Sequence, residues 1–348
     1  MKTEVFRLTG DPNRDNEMLS VCAKIIKDGG LVVFPTETVY GLGADATNES
    51  AVASIYLAKG RPSDNPLIIH ISHPNDAQKY AYVNDTYFTL AEKYMPGPLT
   101  VILQSRDTVP AKTRGGLDTV AIRCPETISA RELIRLSDTA IAAPSANLSG
   151  SPSPTSAQHV IDDMTGRVDA IIDGGVCDFG LESTIVKIED DGSLTLLRPG
   201  RITVDMLSND YRVNVADSVT HKLKEGERAL SPGMKYRHYA PSAPLILLDG
   251  GVDEWCNYIT SEGKGSIAII AYDEMLPYLK SKIPNAYYYS FGGERDEAKQ
   301  AHDLFEILRD ADKRNFSAIF APLPGKEGIS LALYNRMIRA AAHKIIRL

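Results

Sequence analysis

The stretch between residues 34 and 71 constrains the fold more than any other part of the chain. It opens Phe34-Pro-Thr-Glu-Thr-Val-Tyr-Gly-Leu-Gly and closes Ala58-Lys-Gly-Arg-Pro-Ser-Asp-Asn-Pro-Leu-Ile-Ile-His-Ile. The apolar run 31–34 is stopped by Pro35 and reads as a buried strand. Thr36 and Thr38 place hydroxyls where the chain leaves that strand. Residues 49–57 carry apolar side chains at helical spacing and deliver Lys59 and Arg61 to a loop punctuated by glycine and proline. The run 67–71 reads as a second buried strand. A Lys-x-Arg pair on a stiff loop between two core elements is chemically an anion site. Lysine supplies a compact, mobile charge and arginine a planar fork for phosphate or carboxylate. Taken in isolation, such a pair is more often two solvated surface charges. Its surroundings decide between the two.

Around this stretch, residues 16–27, 76–82, 86–94, 127–136 and 157–164 have helical spacing. Residues 99–103, 119–122, 141–143, 170–172, 183–188 and 194–197 read as strands. The last two flank Glu189-Asp-Asp-Gly-Ser193, a hairpin turn. Crossovers and hairpins together predict a mixed sheet ending near residue 207. Residues 209–239 lack sustained periodicity and read as a linker. From residue 245 strands (245–248, 267–271, 286–290, 318–321) alternate with helices (253–259, 275–280, 297–312, 329–342). That alternation predicts a parallel three-layer domain.

At 348 residues and 43% apolar content, the chain has material for two cores. A net charge of −7 argues against passive nucleic-acid binding through bulk electrostatics. Short apolar runs and the lack of a secretory pattern predict no membrane span and a cytoplasmic location. Cys22, Cys124, Cys177 and Cys256 are too scattered for a zinc or redox motif and read as small buried hydrophobes.

Six motifs occur in order: PTETVYGLG, KGRPSDNPLIIHI, PGPLT, APSANLSGSPSPT, GLESTIV and LRPG. Together they resemble the YrdC-like family of threonylcarbamoyl-AMP synthases over residues 19–202. SPGMKYRHYAP, followed by a further domain, resembles the long form of that family. The resemblance implies an α/β protein: a YrdC-like mixed twisted sheet over 1–208, a linker over 209–241, and a smaller Rossmann-like α/β/α domain over 242–348. It also implies synthesis of L-threonylcarbamoyl-AMP from L-threonine, bicarbonate or CO2, and ATP, with pyrophosphate released. Magnesium would arrive with ATP. A separate transferase would carry the threonylcarbamoyl group to tRNA, and direct contact of this chain with tRNA is left open.

The family pattern gives roles residue by residue. Lys59 and Arg61, with Ser145 and Asn147, match a tetrad that lines a basic cavity for the nucleotide phosphates. Ser63 stands in the same loop as a phosphate donor. Thr36, His70, Arg123 and Ser183 match the threonine contacts, with Arg123 as carboxylate clamp. Thr119, Arg198 and Tyr239 fall on the nucleotide side. Several have a plainer alternative: turn or cap for Thr36 and for Ser145-Ala-Asn147, core histidine for His70, strand-end surface charge for Arg123, linker anchor for His238 and Tyr239. The family commonly continues past the arginine with histidine and proline, where this chain has Glu126-Thr127-Ile128. Asp173, Asp178 and Glu182 form no recognisable metal-ligand set. Residues 231–241, rich in rings and charge, are expected to fold over the cavity and exclude water.

Two rival functions remain open. A double-stranded RNA or tRNA module would need a basic concavity, against which the acidic balance weighs. A carbamoyl-adenylate-forming enzyme of the hydrogenase-maturation kind would carry zinc-finger cysteines, which are not seen here.

Overall fold

The computed structural model of the chain describes residues 2–63, 65–221 and 239–348. It divides into two compact units: Met1–Ser149 with Ser153–Tyr236, and Gly150–Pro152 with Arg237–Leu348.

The first unit is built on an 11-stranded sheet. In spatial order its strands are Glu4–Arg7, Ala170–Asp173, Val32–Phe34, Gly41–Asp45, Ile141–Ala142, Ile68–His70, Thr119–Arg123, Leu99–Gln104, Thr184–Ile188, Leu194–Arg198 and Val213–Val215. Parallel and antiparallel pairs are mixed, as the combination of crossovers and hairpins predicts. The central strands are apolar and buried along most of their length. Helices Pro12–Lys27 and Ile128–Ser137 cover one face. Leu19, Cys22 and Ile26 meet Ala130, Leu133 and Ile134 over Val32, Phe34, Ile141 and Ile172. Apolar side chains buried in this way each stabilise the unit by about 1.5–3 kcal/mol.

Register aligns the polar residues of the sheet centre. His70 lies opposite Arg123 on one side and Ile141 on the other. Arg123 lies opposite Thr100 on the next strand. Leu99 then pairs with Thr184, which brings Ser183 to the same end.

Several elements depart from the hydropathy reading. The helix expected from residue 16 starts at Pro12, because Asp11 accepts from the backbone N–H groups of Asn13 and Arg14 and proline fits the first turn. Residues 76–82 form no α-helix; a short 3₁₀ helix, Pro74–Lys79, capped by His73, takes their place. The strand Gly41–Asp45 gives little apolar signal because its glycines are steric necessities. A Cβ on Gly43 would stand 2.8 Å from both the Phe34 ring and the Ile141 side chain. Likewise, a Cβ on Gly200 would meet Thr184 N at 2.6 Å, which accounts for the glycine of LRPG. The short, largely exposed strand Val213–Val215 pairs with Leu194–Arg198 inside the stretch read as linker.

The second unit has a 5-stranded parallel sheet, in the order Tyr287–Ser290, Ile267–Ala271, Ala318–Pro322, Leu245–Asp249, Ile345–Arg347. Helices Val252–Glu262, Leu276–Lys282, Glu297–Lys313 and Ser330–Ala340 complete the strand–helix alternation. Trp255, Ile259, Leu279, Ile269 and Phe320 form a core on one side of this sheet. The segment 231–238, expected to act as a cover, lies outside the described residues, as does His238. Among the described residues no helix is long and apolar enough to cross a membrane.

Candidate functional site

Two clusters of buried polar groups form in the first unit. The first grows from the helix Glu49–Lys59, which Asn48 caps at its start and Gly60 ends in the left-handed conformation (φ 61°). Lys59, the last helical residue, is 4% exposed. Its Nζ donates to Ser145 O at 2.5 Å, Asn147 O at 2.6 Å and Asn147 Oδ1 at 3.4 Å. Ser145 Oγ donates to Asn147 Oδ1 at 2.5 Å. The loop they share is held against the turn after Phe34: Leu42 N donates to Pro144 O, and Ala146 N to Tyr40 O. Three of the tetrad residues expected from sequence are therefore in direct contact.

The fourth, Arg61, is also buried. Its Nη2 reaches Asn65 O and Pro66 O at 3.4 Å, and its Cζ lies 5.8 Å from the Tyr56 ring centre. Asn65 is fully buried, and neither Oδ1 nor Nδ2 has a partner among the described residues. A concavity of about 460 Å³ opens at Arg61, lined also by Tyr56, Leu57, Ser63 and Lys112. Ser63 is exposed there.

The second cluster lies at the end of the central strands. Arg123 is 4% exposed; its Nη2 donates to Glu37 Oε1 at 2.5 Å and its Nε to Gly97 O at 3.4 Å. Beside it His70 is buried, edge-on to Phe34 with ring centres 5.9 Å apart, and its Nδ1 has no partner among the described residues. Burial, and then the Arg123 charge, push the His70 pKa down to about 3, so the imidazole is neutral at physiological pH. Ser183 Oγ sits 2.7 Å from Thr100 Oγ1 and accepts from Arg198 Nη2 at 3.0 Å, while Arg198 Nε donates to Ser183 O at 2.9 Å. Arg198 and Ser183 are thus one rigid pair.

Other expected residues have different settings. The Thr36 hydroxyl shapes its own turn: it donates to Val39 O at 2.6 Å and accepts from Thr38 N and Val39 N at 3.2 Å. Thr119 begins the strand that Arg123 ends and pairs with Gln104, so about 13 Å separates the two along the strand. Tyr239 belongs to the second unit, where its ring stacks on Phe305 at 5.3 Å. Of the acidic candidates, Asp173 accepts from Arg7, Glu182 accepts from Ser153 Oγ at 2.5 Å, and Asp178 is exposed. No cluster of three potential metal ligands occurs among the described residues. The cysteines are free and buried; burial pushes the thiols of Cys22 and Cys124 up to about 12 and raises that of Cys177 further. None is a ready nucleophile.

Sequence reasoning passed over Glu37 and Thr100. Glu37 is 3% exposed and pairs with Arg123. The available signal was an acid set between two threonines immediately after a buried strand, since a carboxylate there needs a buried counter-charge.

Set beside known proteins, residues 24–200 match the Sua5/YciO/YrdC family model, described as "Telomere recombination". Residues 202–342 match the model described as "Threonylcarbamoyl-AMP synthase, C-terminal domain". A threonylcarbamoyl-AMP synthase of Pyrococcus abyssi is 40% identical over 341 residues, covering 94% of this chain and 95% of that one. One of Bacillus subtilis is 38% identical over 346 residues, covering 98% and 97%. The crystal structure of P. abyssi Sua5 complexed with L-threonine superposes with a TM-score of 0.87 at 37% identity, covering 100% of both chains. By both matched regions and by its length, the chain belongs to the threonylcarbamoyl-AMP synthase family.

Proposed function

We propose that the protein joins L-threonine, bicarbonate or CO2, and ATP into threonylcarbamoyl-AMP, releasing pyrophosphate and, when bicarbonate is the carbon source, water. The threonine amine takes up the carbon as a carbamate. A carbamate oxygen then attacks the α-phosphate of ATP, and pyrophosphate leaves with the electrons of the broken P–O bond. Such a reaction asks for positioning and charge neutralisation rather than a protein nucleophile, in keeping with the protonated, buried thiols.

The observation that carries this reading is Arg123. A guanidinium has five N–H donors. Among the described residues Arg123 uses one on Glu37 and one on Gly97. A buried arginine with donors in hand fits a bidentate carboxylate, and a relative has been crystallised with L-threonine. His70, neutral and with Nδ1 lacking a protein partner among the described residues, would accept from the substrate's amine or hydroxyl. Ser183, fixed by Arg198, would line the same pocket.

Lys59, Arg61, Ser145 and Asn147 would hold the triphosphate. Because the Lys59 ammonium already grips the loop 145–147, its part is to fix that loop and supply charge at short range. Arg198 would face the nucleotide, with Ser63 and Thr119 at its periphery. Glu37 and Glu182 are committed to Arg123 and Ser153. Magnesium would therefore enter bound to ATP, held through phosphate oxygens and water. The product is a mixed anhydride suited to a separate transferase that modifies tRNA.

The purified protein should release pyrophosphate from ATP only when threonine and bicarbonate are both present. Serine should work less well because it lacks the γ-methyl contact. Release at the same rate without threonine would overturn the reading.

A further inference from the structure

We infer that Glu37 is the positioning residue of the threonine clamp, setting the orientation of Arg123 and tying it to the start of the helix Ile128–Ser137. This rests on Arg123 binding the threonine carboxylate.

Two stretches distant in the chain, 123–127 and Phe179, converge on Glu37. Its Oε1 accepts from Arg123 Nη2, 86 residues away in the chain. Its Oε2 accepts from Glu126 N at 3.1 Å and from Thr127 Oγ1 at 3.4 Å. Its backbone carbonyl accepts from Phe179 N at 2.8 Å. The two side chains of the ion pair are 5% and 3% exposed, so water does not loosen it. A carboxylate held through both oxygens cannot rotate, and it passes that fixity to the planar guanidinium. With Nη2 on Glu37 and Nε on Gly97, Arg123 keeps both Nη1 hydrogens and one on Nη2. Those two nitrogens form the edge that a carboxylate grips with both oxygens.

Glu37 does a second job in the same place. A buried guanidinium without a counter-charge carries a large desolvation penalty. Glu37 offsets it while the pocket is empty, so the clamp can be preformed rather than assembled by the substrate. Thr127 completes the support. It stands in the short stretch where this chain departs from the histidine and proline common in the family, and the helix it precedes has no side-chain cap from it. Its hydroxyl is spent on Glu37 instead.

The test compares L-threonine with L-threoninamide, which keeps the amine, hydroxyl and methyl but lacks the carboxylate. Calorimetric Kd values are measured for the wild type, Glu37→Ala, Glu37→Gln, Thr127→Val, Arg123→Ala and the Glu37→Ala/Arg123→Ala double variant. Glu37→Ala should cut the preference for threonine by about tenfold, the size of coupling seen between contacting charged groups, with threoninamide binding unmoved. Glu37→Gln should fall between, since its amide oxygen still accepts from Arg123 while its NH2 group faces the Glu126 N–H. Thr127→Val should give a smaller loss in the same direction, and it leaves the ion pair intact if Glu37→Ala fails to fold. The double variant should be no worse than Arg123→Ala. Loss of both ligands in equal measure in Glu37→Ala, or unchanged preference in both Glu37→Ala and Thr127→Val while Arg123→Ala abolishes it, would overturn the inference alone. A wild type that does not distinguish threonine from threoninamide, or an Arg123→Ala variant that keeps the full preference for threonine, would overturn the clamp reading beneath it.

Discussion

His70 should make the protein lose stability on mild acidification, by an amount that one substitution isolates. Burial and Arg123 hold its pKa at about 3, against about 6.5 for an exposed histidine. The folded value is the lower one, so the unfolded chain takes up the proton first. Stability is therefore full above about pH 7 and is lost as pH falls towards 3. Between pH 7 and pH 5, proton uptake by the unfolded chain at this one site amounts to about 2 kcal/mol. For a unit of this size that corresponds to a drop of about 4–8 °C in Tm. Other titrating groups also contribute in the wild type, so the quantity to measure is its Tm shift minus that of His70→Gln, which cannot titrate. The wild type should lose about 4–8 °C more than the variant over this interval. In NMR, the His70 ring signal should stay unshifted from pH 8 down to about pH 4. Equal pH dependence in both proteins, or a ring titrating near 6.5, would refute a buried neutral imidazole next to Arg123.

Lys59→Met should nearly abolish adenylate formation and raise the KM for ATP more than that for threonine, because the loop 145–147 loses the ammonium that holds Ser145 O and Asn147 O; steady-state kinetics with each substrate varied in turn reads this out. In the second unit, Phe320→Ala should cost about 3–5 kcal/mol. Trp255 is the chain's sole tryptophan and is 2% exposed in the same core, so its emission should red-shift at a lower temperature in that variant.

What the sequence revealed depended on the length of its signals. The second unit was legible nearly throughout, since buried parallel strands such as Ile267–Ala271 are continuous apolar runs separated by amphipathic helices. Its last strand, Ile345–Arg347, is too short to announce itself. In the first unit, Gly41–Asp45 was hidden because close approach to Phe34 and Ile141 demands glycine where hydropathy looks for bulk. Glu4–Arg7 is an edge strand with mostly exposed side chains. The Lys59, Ser145 and Asn147 contact was legible through motif order, yet the direction of the lysine was not. It bonds backbone carbonyls, which carry no residue-type signature. Glu37 was missed because its partner lies 86 residues away, and a pairing set by strand register leaves no local trace.

The most direct test of the central claim supplies [13C]bicarbonate, L-threonine and MgATP to the purified protein and follows the adenylate by mass spectrometry and 13C NMR. The account predicts a threonine- and AMP-containing product with one labelled carbon, in a carbamate joined to the α-phosphate, formed in step with pyrophosphate. Pyrophosphate formed without the label entering the adenylate, or threonine adenylated through its own carboxylate, would contradict it.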